Sequence, residues 1–363
     1  MTQTIAARPP RSRLRLQEGG LIVVIFVLGL ILTLCGGRVT RPRFETDAKG
    51  ERHRVMVEEN IFFNAQNLAQ VAKDTSIIAI MAVGATFVII SGGIDLSVGA
   101  IYALASVLGA VVFRAYGPDG GHAGASPWLG ILLGLAACVG TATLAGLING
   151  GMIVALRVHP FIITLGTMTI FRGIAFVITD GQSVTGFPEA FRNLMRWEVS
   201  DGVFLMPVVV VIAVTVAGGT FLTRLAAGRR VYAVGGNELA SAFSGINVGR
   251  VKLGVFVLSG LSAGVAAVLA LGHYGGASSG DGQGYELNVI AAAVVGGASL
   301  SGGKGSALGA LLGALVIQLI NAGIVILHIN QNYSQIIVGA VVIIAVVLDQ
   351  FNNWLAKRRL LSK

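Results

Sequence analysis

Few residues of this sequence could do chemistry inside a membrane, and Asp95 stands out among them. It is the only acidic residue well inside a predicted apolar region, in the stretch Gly92–Ala110, which opens Gly-Gly-Ile-Asp-Leu-Ser. A charged side chain at bilayer depth costs about 2.5–3.5 kcal/mol on insertion scales, so it usually faces a cavity or a partner. The Gly92-Gly93 pair would interrupt a helix, which is tolerated only where the freed backbone groups are buried in protein or line water. Asp95 therefore caps the next helix, expected to begin at Leu96, or lies beside a solute path, and both can hold.

Nearly the same stretch occurs again towards the other end of the chain. Gly296–Ala314 matches Gly92–Ala110 at ten of nineteen positions when the two are aligned at a constant offset of 204 residues. Hydrophobic segments interrupted by glycine, at corresponding positions in two halves of a chain, are a common pointer to a transporter's central site. Chance similarity between two stretches rich in glycine and alanine is the alternative. The repeat predicts two related halves whose copies run in the same direction through the membrane.

The composition excludes a soluble globular protein. Of 363 residues, 54% are hydrophobic and 12% are charged, whereas ordinary domains are about 25% charged. The 51 glycines are about twice the usual share, which suits close approach of helices in lipid. The net charge of +9 comes from basic residues at the chain ends and between apolar runs, so it indicates membrane topology rather than a nucleic-acid partner. The two cysteines, Cys35 and Cys138, offer no disulfide framework and no metal spacing.

The apolar runs predict an all-α polytopic membrane protein that forms a single transmembrane domain over residues 1–363. Each run is near the roughly 20 residues that a bilayer core needs. The ten predicted spans lie at about 20–37, 75–93, 96–114, 128–150, 158–178, 203–222, 251–272, 287–303, 306–327 and 334–351.

Basic residues set the expected topology. They place both termini in the cytoplasm, together with the tail at 1–19 and the junction at 223–250. The charged loop at 38–59 is the exception, because it is predicted to be periplasmic and yet six basic residues lie between Arg38 and Arg54. Residues 60–72 are expected to form a short interfacial helix before the second span.

Several spans carry isolated polar residues. Hydrogen bonds between helices explain most of them one at a time, but together they suit a neutral polyhydroxylated solute better than an ion. Arg172, in the outer half of the fifth span, either snorkels to the interface or contacts substrate or a broken helix. The other such residues are Asn149, Asn288, Asn321, Thr164, Thr167 and Thr169.

No motif for catalysis, metal binding or nucleotide binding is visible. The spans carry no chain of carboxylates or histidines for a proton relay. The glycine-rich segment around Gly303-Lys304-Gly305-Ser306 lacks the spacing of a phosphate-binding loop. We therefore expect no catalytic residue, no metal and no cofactor, and no hydrolysis of ATP by this chain.

The junction between the sixth and seventh spans predicts an ordered docking surface. After a basic start, residues 228–250 carry a Gly-Gly-Asn-Glu turn and then a short helix from Glu238 to about Ser244, ending at Gly245. Asn237 is a favourable cap, and the charge of Glu238 is favourable beside the positive end of that helix. Exposed apolar side chains on the helix would let a cytoplasmic partner dock. An ordinary interfacial helix is the alternative.

Four motifs in this order resemble the ribose/xylose-type permeases, the membrane subunits of bacterial sugar-importing ABC transporters. They are GGIDLSVG (92–99), HPFIITLGTMTIFRGIAFV (159–177), GGNELASAFSGINV (235–248) and GYELNVIAAAVVGGASLSGGKGS (284–306). The resemblance runs from about Phe62 to Phe351, whereas the loop at 38–59 and the segment Gly117–Pro127 have no close match in the family pattern.

The resemblance implies an inner-membrane homodimer of ten-helix permease subunits. Two copies of a cytoplasmic ABC ATPase would dock on the loop around Gly236–Gly245, and a periplasmic sugar-binding protein would deliver substrate from outside. The residues expected along the translocation path are Gly92, Gly93, Asp95, Ser97, Asn149, Thr164, Arg172, Glu286 and Asn288. The residues expected to couple to the ATPase are Gly236, Asn237, Glu238, Ala240, Phe243, Ser244 and Gly245.

Other functions remain open at this point. A secondary transporter or facilitator without an ATPase would rock its repeats around a midplane site, but the ion-coupling residues are missing. A channel or an anchoring scaffold has less support, because no ring-forming carboxylates and no soluble domain are visible. Branched-chain amino-acid permeases are the nearest confusable relatives. The identity of the sugar or polyol is also open.

Overall fold

Long helices form where the sequence has its apolar runs. The computed structural model describes residues 16–46, 52–200, 203–341, 343–344 and 346–347. Over those residues the α-helices are α1 (Leu16–Cys35), α2 (Ala65–Ile90), α3 (Val98–Ala115), α4 (Pro127–Leu156), α5 (Pro160–Thr179), α6 (Glu189–Met195), α7 (Met206–Arg224), α8 (Ala226–Gly236), α9 (Glu238–Phe243), α10 (Val248–Tyr274), α11 (Tyr285–Val295) and α12 (Ala307–Ile326). A 3-10 turn follows at Gln331–Tyr333, and the described residues from 334 onwards are helical as well.

Strands are few, and those described pair only in antiparallel twos. They are β1 (Arg38–Thr46) with β2 (Arg52–Asn60), β3 (Val184–Thr185) with β6 (Gly276–Ala277), and β4 (Glu198–Ser200) with β5 (Val203–Phe204). The charged loop predicted at 38–59 is therefore largely a hairpin, in which Arg38 lies opposite Asn60. The predicted interfacial helix at 60–72 was wrong. Asn64 caps α2 by accepting a hydrogen bond from the Asn67 amide, so the second span starts at Ala65.

Eight of the described helices are long and apolar enough to cross a membrane. They confirm an all-α polytopic membrane protein. The predicted span at 287–303 was wrong as a full span, because α11 has only 11 residues and so is about 16 Å long, half of a bilayer core of about 30 Å. The predicted tail at 1–19 and the last predicted span at 334–351 lie partly outside the described residues.

Both copies of the repeat contain an interrupted helix, but their register differs from the constant offset of 204. After α2, the amide of Gly92 donates to the Ile89 carbonyl at 3.0 Å, and after α11 the amide of Gly297 donates to the Val294 carbonyl at 2.9 Å. Both glycines have positive φ, 85° and 96°, which favours glycine at these positions. The loops then end at different distances, since α3 is preceded by Ser97 and α12 by Ser306. The second loop is therefore longer than the first, and the alignment at a constant offset of 204 residues does not describe the two loops.

The two copies run in the same direction, as expected from the sequence. The ends of α2 and α11 lie side by side, because Ile89 packs with Ala293 and Ala298. The amide of Gly303, in the second loop, donates to the carbonyl of Ile90 at 2.8 Å. At the same end, the hydroxyl of Ser306 donates to Glu18 of α1 at 2.8 Å. We call this the α8–α9 end of the bundle, because α8 also packs there.

Small residues allow the central helices to pack closely. Every residue of α2 from Thr75 to Ile90 is buried, and α10 lies against both α2 and α4. A Cβ at Gly146 would meet the backbone of Phe256, and one at Gly260 would meet the backbone of Ala142. Close backbone approach of this kind is typical of helices that associate in lipid, where packing rather than the hydrophobic effect holds them together.

Gly235 should be the glycine of the α8–α9 end that is least able to change. A Cβ there would overlap the carbonyl oxygen of Ile90 and would lie 2.7 Å from the amide of Gly303, whereas a Cβ at Gly236 would meet nothing within 4 Å. We expect Gly235→Ala to lower stability by about 1–3 kcal/mol, because the backbone must shift. Gly236→Ala should leave stability unchanged. Thermal unfolding in detergent measures the difference, and equal melting temperatures for both variants would contradict this packing.

Candidate functional site

A buried polar cluster forms where the first interrupted helix restarts. Asp95 is 2% exposed, and one of its oxygens accepts hydrogen bonds from the Ser97 amide at 2.9 Å and the Ser97 hydroxyl at 2.6 Å. Its other oxygen accepts from the hydroxyl of Ser259 on α10 at 2.9 Å. The side-chain amide of Asn149 on α4 donates to the Ser97 hydroxyl at 2.7 Å. Asp95 thus organises the start of α3, which begins at Val98 rather than Leu96, and joins it to α4 and α10.

Thr164 brings α5 into the same cluster. Its hydroxyl accepts a hydrogen bond from the Leu96 amide at 3.2 Å and lies 3.0 Å from the carbonyl of Pro160, to which it donates. Gly93 is also near this helix, because a Cβ there would lie 3.5 Å from Pro160. The structure therefore brings Gly92, Gly93, Asp95, Ser97, Asn149 and Thr164 together. Sequence reasoning missed Ser259, which differs little from the other serines on α10.

Neutral donors satisfy the carboxylate of this cluster. The hydrogen bonds that Asp95 accepts come from one backbone amide and two hydroxyls. The side-chain oxygen of Asn149 is buried and has no hydrogen-bond partner among the described residues. A buried polar atom without a hydrogen bond is costly. The cluster therefore satisfies the hydrogen-bonding groups of Asp95 more fully than those of Asn149.

Arg172 holds the turn that precedes α11. Its guanidinium donates to the backbone carbonyls of Ser279, at 2.9 Å, and Asp281. The half-buried side chain therefore binds the backbone of the turn between α10 and α11, and its contact with substrate stays a prediction. The planar guanidinium of an arginine carries several N–H donors, so it can bind two neighbouring backbone carbonyls that are not hydrogen-bonded within a regular helix.

The same turn touches α3 one turn beyond the polar cluster. Cβ atoms at Gly99 and Gly282 would each collide with the backbone of the other segment, so only glycine allows this approach. Glu286, at the start of α11, lies beside Gly99, and one of its oxygens is buried without a partner among the described residues. Asn288 is half-buried on α11. Arg172 and Glu286 therefore belong to a second group next to the Asp95 cluster rather than to the cluster itself.

The predicted coupling segment forms as expected. The side chain of Asn237 accepts a hydrogen bond from the Ala240 amide at 2.9 Å, and α9 runs from Glu238 to Phe243. The carboxylate of Glu238 pairs with Lys252 at 2.8 Å on the surface. Behind them, α8 is a helix that the sequence reasoning missed.

The surface of α9 is apolar although it faces away from the bundle. Phe243 is 90% exposed and Leu239 is 72% exposed. Ala240 and Ser244 are also exposed, and the Ser244 hydroxyl donates to the Ala240 carbonyl at 2.8 Å. The segment ends at Gly245, whose φ of 81° suits a glycine.

A continuous chain of contacts joins α8 to both interrupted helices. The hydroxyl of Tyr232 on α8 donates to the carbonyl of Gly305 at 2.8 Å. Gly235, also on α8, packs directly on the Ile90 carbonyl and on Gly303. Ile90 is the last residue of α2, and Gly92 follows two residues later. The helix α9, which carries Phe243, is therefore connected through α8 to the end of α2 and to the second loop.

Comparisons with known proteins agree with this architecture. Residues 67–346 match the family described as the permease component of the branched-chain amino acid transport system. The chain is 40% identical over 292 residues to the ribose import permease protein of Bacillus subtilis, which covers 80% of this chain and 86% of that protein. It is 38% identical over 289 residues to the D-allose transport system permease protein of Escherichia coli, covering 80% and 85%. The galactose/methyl galactoside import permease protein of E. coli is 31% identical over 92% of this chain and 94% of its own length. No solved structure matches the chain.

The chain therefore belongs to this family of bacterial permease components. The resemblance to the membrane subunits of sugar-importing ABC transporters is confirmed. The protein is a multi-pass protein of the inner membrane and a transport subunit.

The hydrogen bonds of Asp95 predict how two substitutions differ. Asp95→Asn keeps one oxygen for Ser97 and turns an amide towards Ser259, whose hydroxyl can accept instead. Asp95→Ala leaves three donors without an acceptor, so we expect a loss of about 3 kcal/mol and a much smaller loss for Asp95→Asn. Thermal unfolding of the purified variants measures both. An alanine variant as stable as the parent chain would contradict a stabilising role for this carboxylate.

Proposed function

We propose that this chain is the permease subunit of an ABC importer that moves a monosaccharide or a related polyol across the inner membrane. A separate ATPase subunit would drive it and a periplasmic binding protein would supply the substrate. The observation that carries the proposal is the exposed apolar helix α9, joined through Gly235 and Gly303 to two helices interrupted inside the bundle. Relatives named for ribose, allose, fructose and galactose support the choice of substrate class.

Two of the three charged side chains along the expected path, Asp95 and Arg172, favour a neutral solute over an amino acid. An amino acid needs partners for both an ammonium and a carboxylate group. The guanidinium of Arg172 already donates to two main-chain carbonyls, and the carboxylate of Asp95 already accepts three hydrogen bonds. Binding an amino acid through these groups would require breaking those bonds, whereas hydroxyl groups could add to the remaining donors and acceptors. We therefore prefer a sugar to the branched-chain amino acids of the family description.

Coupling to an ATPase follows from the position of α9. In this proposal the ATPase pair closes on ATP, pushes the two α9 helices of a permease homodimer, and tilts the spans behind them. A partner can shift a conformational equilibrium only through contacts that differ between the two states. Gly235 and Tyr232 are well placed for this, because both contact the second loop and Gly235 also contacts the end of α2. The binding protein would dock at the opposite end.

The first experiment isolates the chain from native membranes in mild detergent and identifies what accompanies it. We expect a stoichiometric ATPase. In vesicles that hold the complex, uptake of one of ribose, allose, fructose or galactose should require ATP on the α9 side and the binding protein on the other. Isolation of the chain alone, with sugar uptake that needs no ATP, would favour the facilitator instead. Uptake of leucine but of none of the sugars would contradict the substrate class.

Phe243 provides the sharpest test of the docking surface. Phe243→Ala removes an aromatic side chain that touches little of its own chain, so the fold should be unaffected. Buried aromatic anchors at interfaces are often worth about 2 kcal/mol or more, so we expect at least a tenfold loss of co-purified ATPase. Phe63→Ala is the matched control, because Phe63 is 66% exposed near the start of α2, at the opposite end. Equal ATPase recovery from both variants would remove α9 from the interface.

A further inference from the structure

A cavity with both polar and apolar walls lies beside the second group of predicted path residues. Its volume is about 390 Å³, and its walls are α3, the end of α10, the start of α11 and the β3–β6 ribbon. Small-molecule sites have volumes of about 300–1,000 Å³, so the space is sufficient for one monosaccharide. None of the path residues predicted from the sequence lines it. A larger cavity of about 570 Å³ adjoins it at Ser183 and reaches Arg114 at the far end of α3.

Two tyrosines form one side of this cavity. The rings of Tyr102 on α3 and Tyr285 on α11 have centroids 5.6 Å apart and planes inclined by 42°. Tyr102 is 3% exposed, and a Cβ on Gly282 would lie 2.7 Å from its ring, so Gly282 holds the ring in place. Rings fixed in this way offer an apolar face for the C–H side of a sugar, with a hydroxyl at the edge.

The remaining wall supplies hydrogen-bonding groups without a basic residue. The hydroxyl of Ser106 lines the cavity, is buried, and has no partner among the described residues. Asp281 is the only charged residue among those lining the cavity, and one of its oxygens accepts from the Ser278 amide at 2.8 Å. A buried hydroxyl without a partner is costly, so a ligand hydroxyl next to Ser106 would be favourable. A phosphorylated sugar or another anion would find no cation on this wall.

We propose that this cavity binds the monosaccharide during its passage. Tyr102 and Tyr285 would pack on the sugar ring, and the hydroxyls of Tyr102 and Ser106 and the carboxylate of Asp281 would bond its hydroxyls. The proposal rests on the proposed function and adds a site to it. It also accounts for Arg172, which positions the turn that carries Asp281. The same turn contacts α3 at Gly99, so a tilt of α3 or α11 would change the shape of the cavity.

Cysteine accessibility tests the site directly. Ser106→Cys is made in the complete transporter together with Cys35→Ala, since Cys138 is buried and lines neither cavity. A water-soluble methanethiosulfonate reagent is applied to vesicles with ribose, allose, fructose, galactose or leucine at millimolar concentration. We expect the transported sugar to slow the reaction at least fivefold and the other compounds to leave it unchanged. Ser126→Cys, on an exposed residue before α4, should react at the same rate in every case. No reaction at position 106, or the same rate with every sugar, would overturn the site.

Uptake measurements keep the inference testable if that cysteine variant does not fold. Tyr102→Phe and Ser106→Ala each delete one hydroxyl, and we expect sugar uptake to fall about five- to tenfold for each, as for a lost hydrogen bond. ATPase co-purification should not change. Tyr333→Phe is the matched control on an exposed tyrosine. Unchanged uptake in both cavity variants would overturn the site while leaving the proposed function intact, whereas absence of ATP-driven sugar uptake by the parent chain would remove both.

Discussion

The rest of the structure depends on how the backbone is paired where helices stop inside the bundle. In lipid, an unpaired amide or carbonyl costs several kcal/mol, so irregular backbone survives only where protein surrounds it. The second loop meets this constraint by donating from Gly303 to Ile90 at the end of the first interrupted helix. Each interruption thus helps to satisfy the other. Because that hydrogen bond requires close approach, glycine is needed at the points of contact, as at Gly235, where a Cβ would overlap Ile90.

The charged residues Asp95 and Arg172 inside the bundle also bind backbone groups that no regular helix pairs, and they do not pair with each other. Asp95 accepts a hydrogen bond from the Ser97 amide before α3, and Arg172 donates to carbonyls of the turn before α11. A buried ion pair would also need excellent geometry to offset its desolvation. Here, Asp95 stabilises the loop before α3 and Arg172 stabilises the turn before α11, so these two segments are not joined by an ion pair of Asp95 with Arg172.

The sequence predicted the long helices well, because apolar runs of about 20 residues have few alternatives in a membrane. Asp95, Ser97, Asn149 and Thr164 were each expected along one translocation path, and the described structure joins them in one cluster, whose role in transport stays a prediction. The sequence-based prediction failed at α11, because the run at 287–303 remains apolar through the glycines that end the helix. It also missed Tyr102, Ser106 and Asp281, since a tyrosine or serine on an apolar helix has no local signature. Their proximity arises only when the turn before α11 folds back on α3.

The two halves of the repeat differ in what their loops contact. In the first half, the loop after α2 is short and is fastened by the side chains of Asp95 and Thr164 to the spans around it. In the second half, the loop after α11 is longer and reaches α8, through Tyr232 and the backbone of Gly235. In the proposed coupling, a displacement of α8 would reach the bundle through the second loop and the end of α2, and the hydrogen bonds of the Asp95 cluster would oppose it. The turn before α11 and the start of α3 meet at Gly99 and Gly282, beside the cavity that Tyr102 and Tyr285 line.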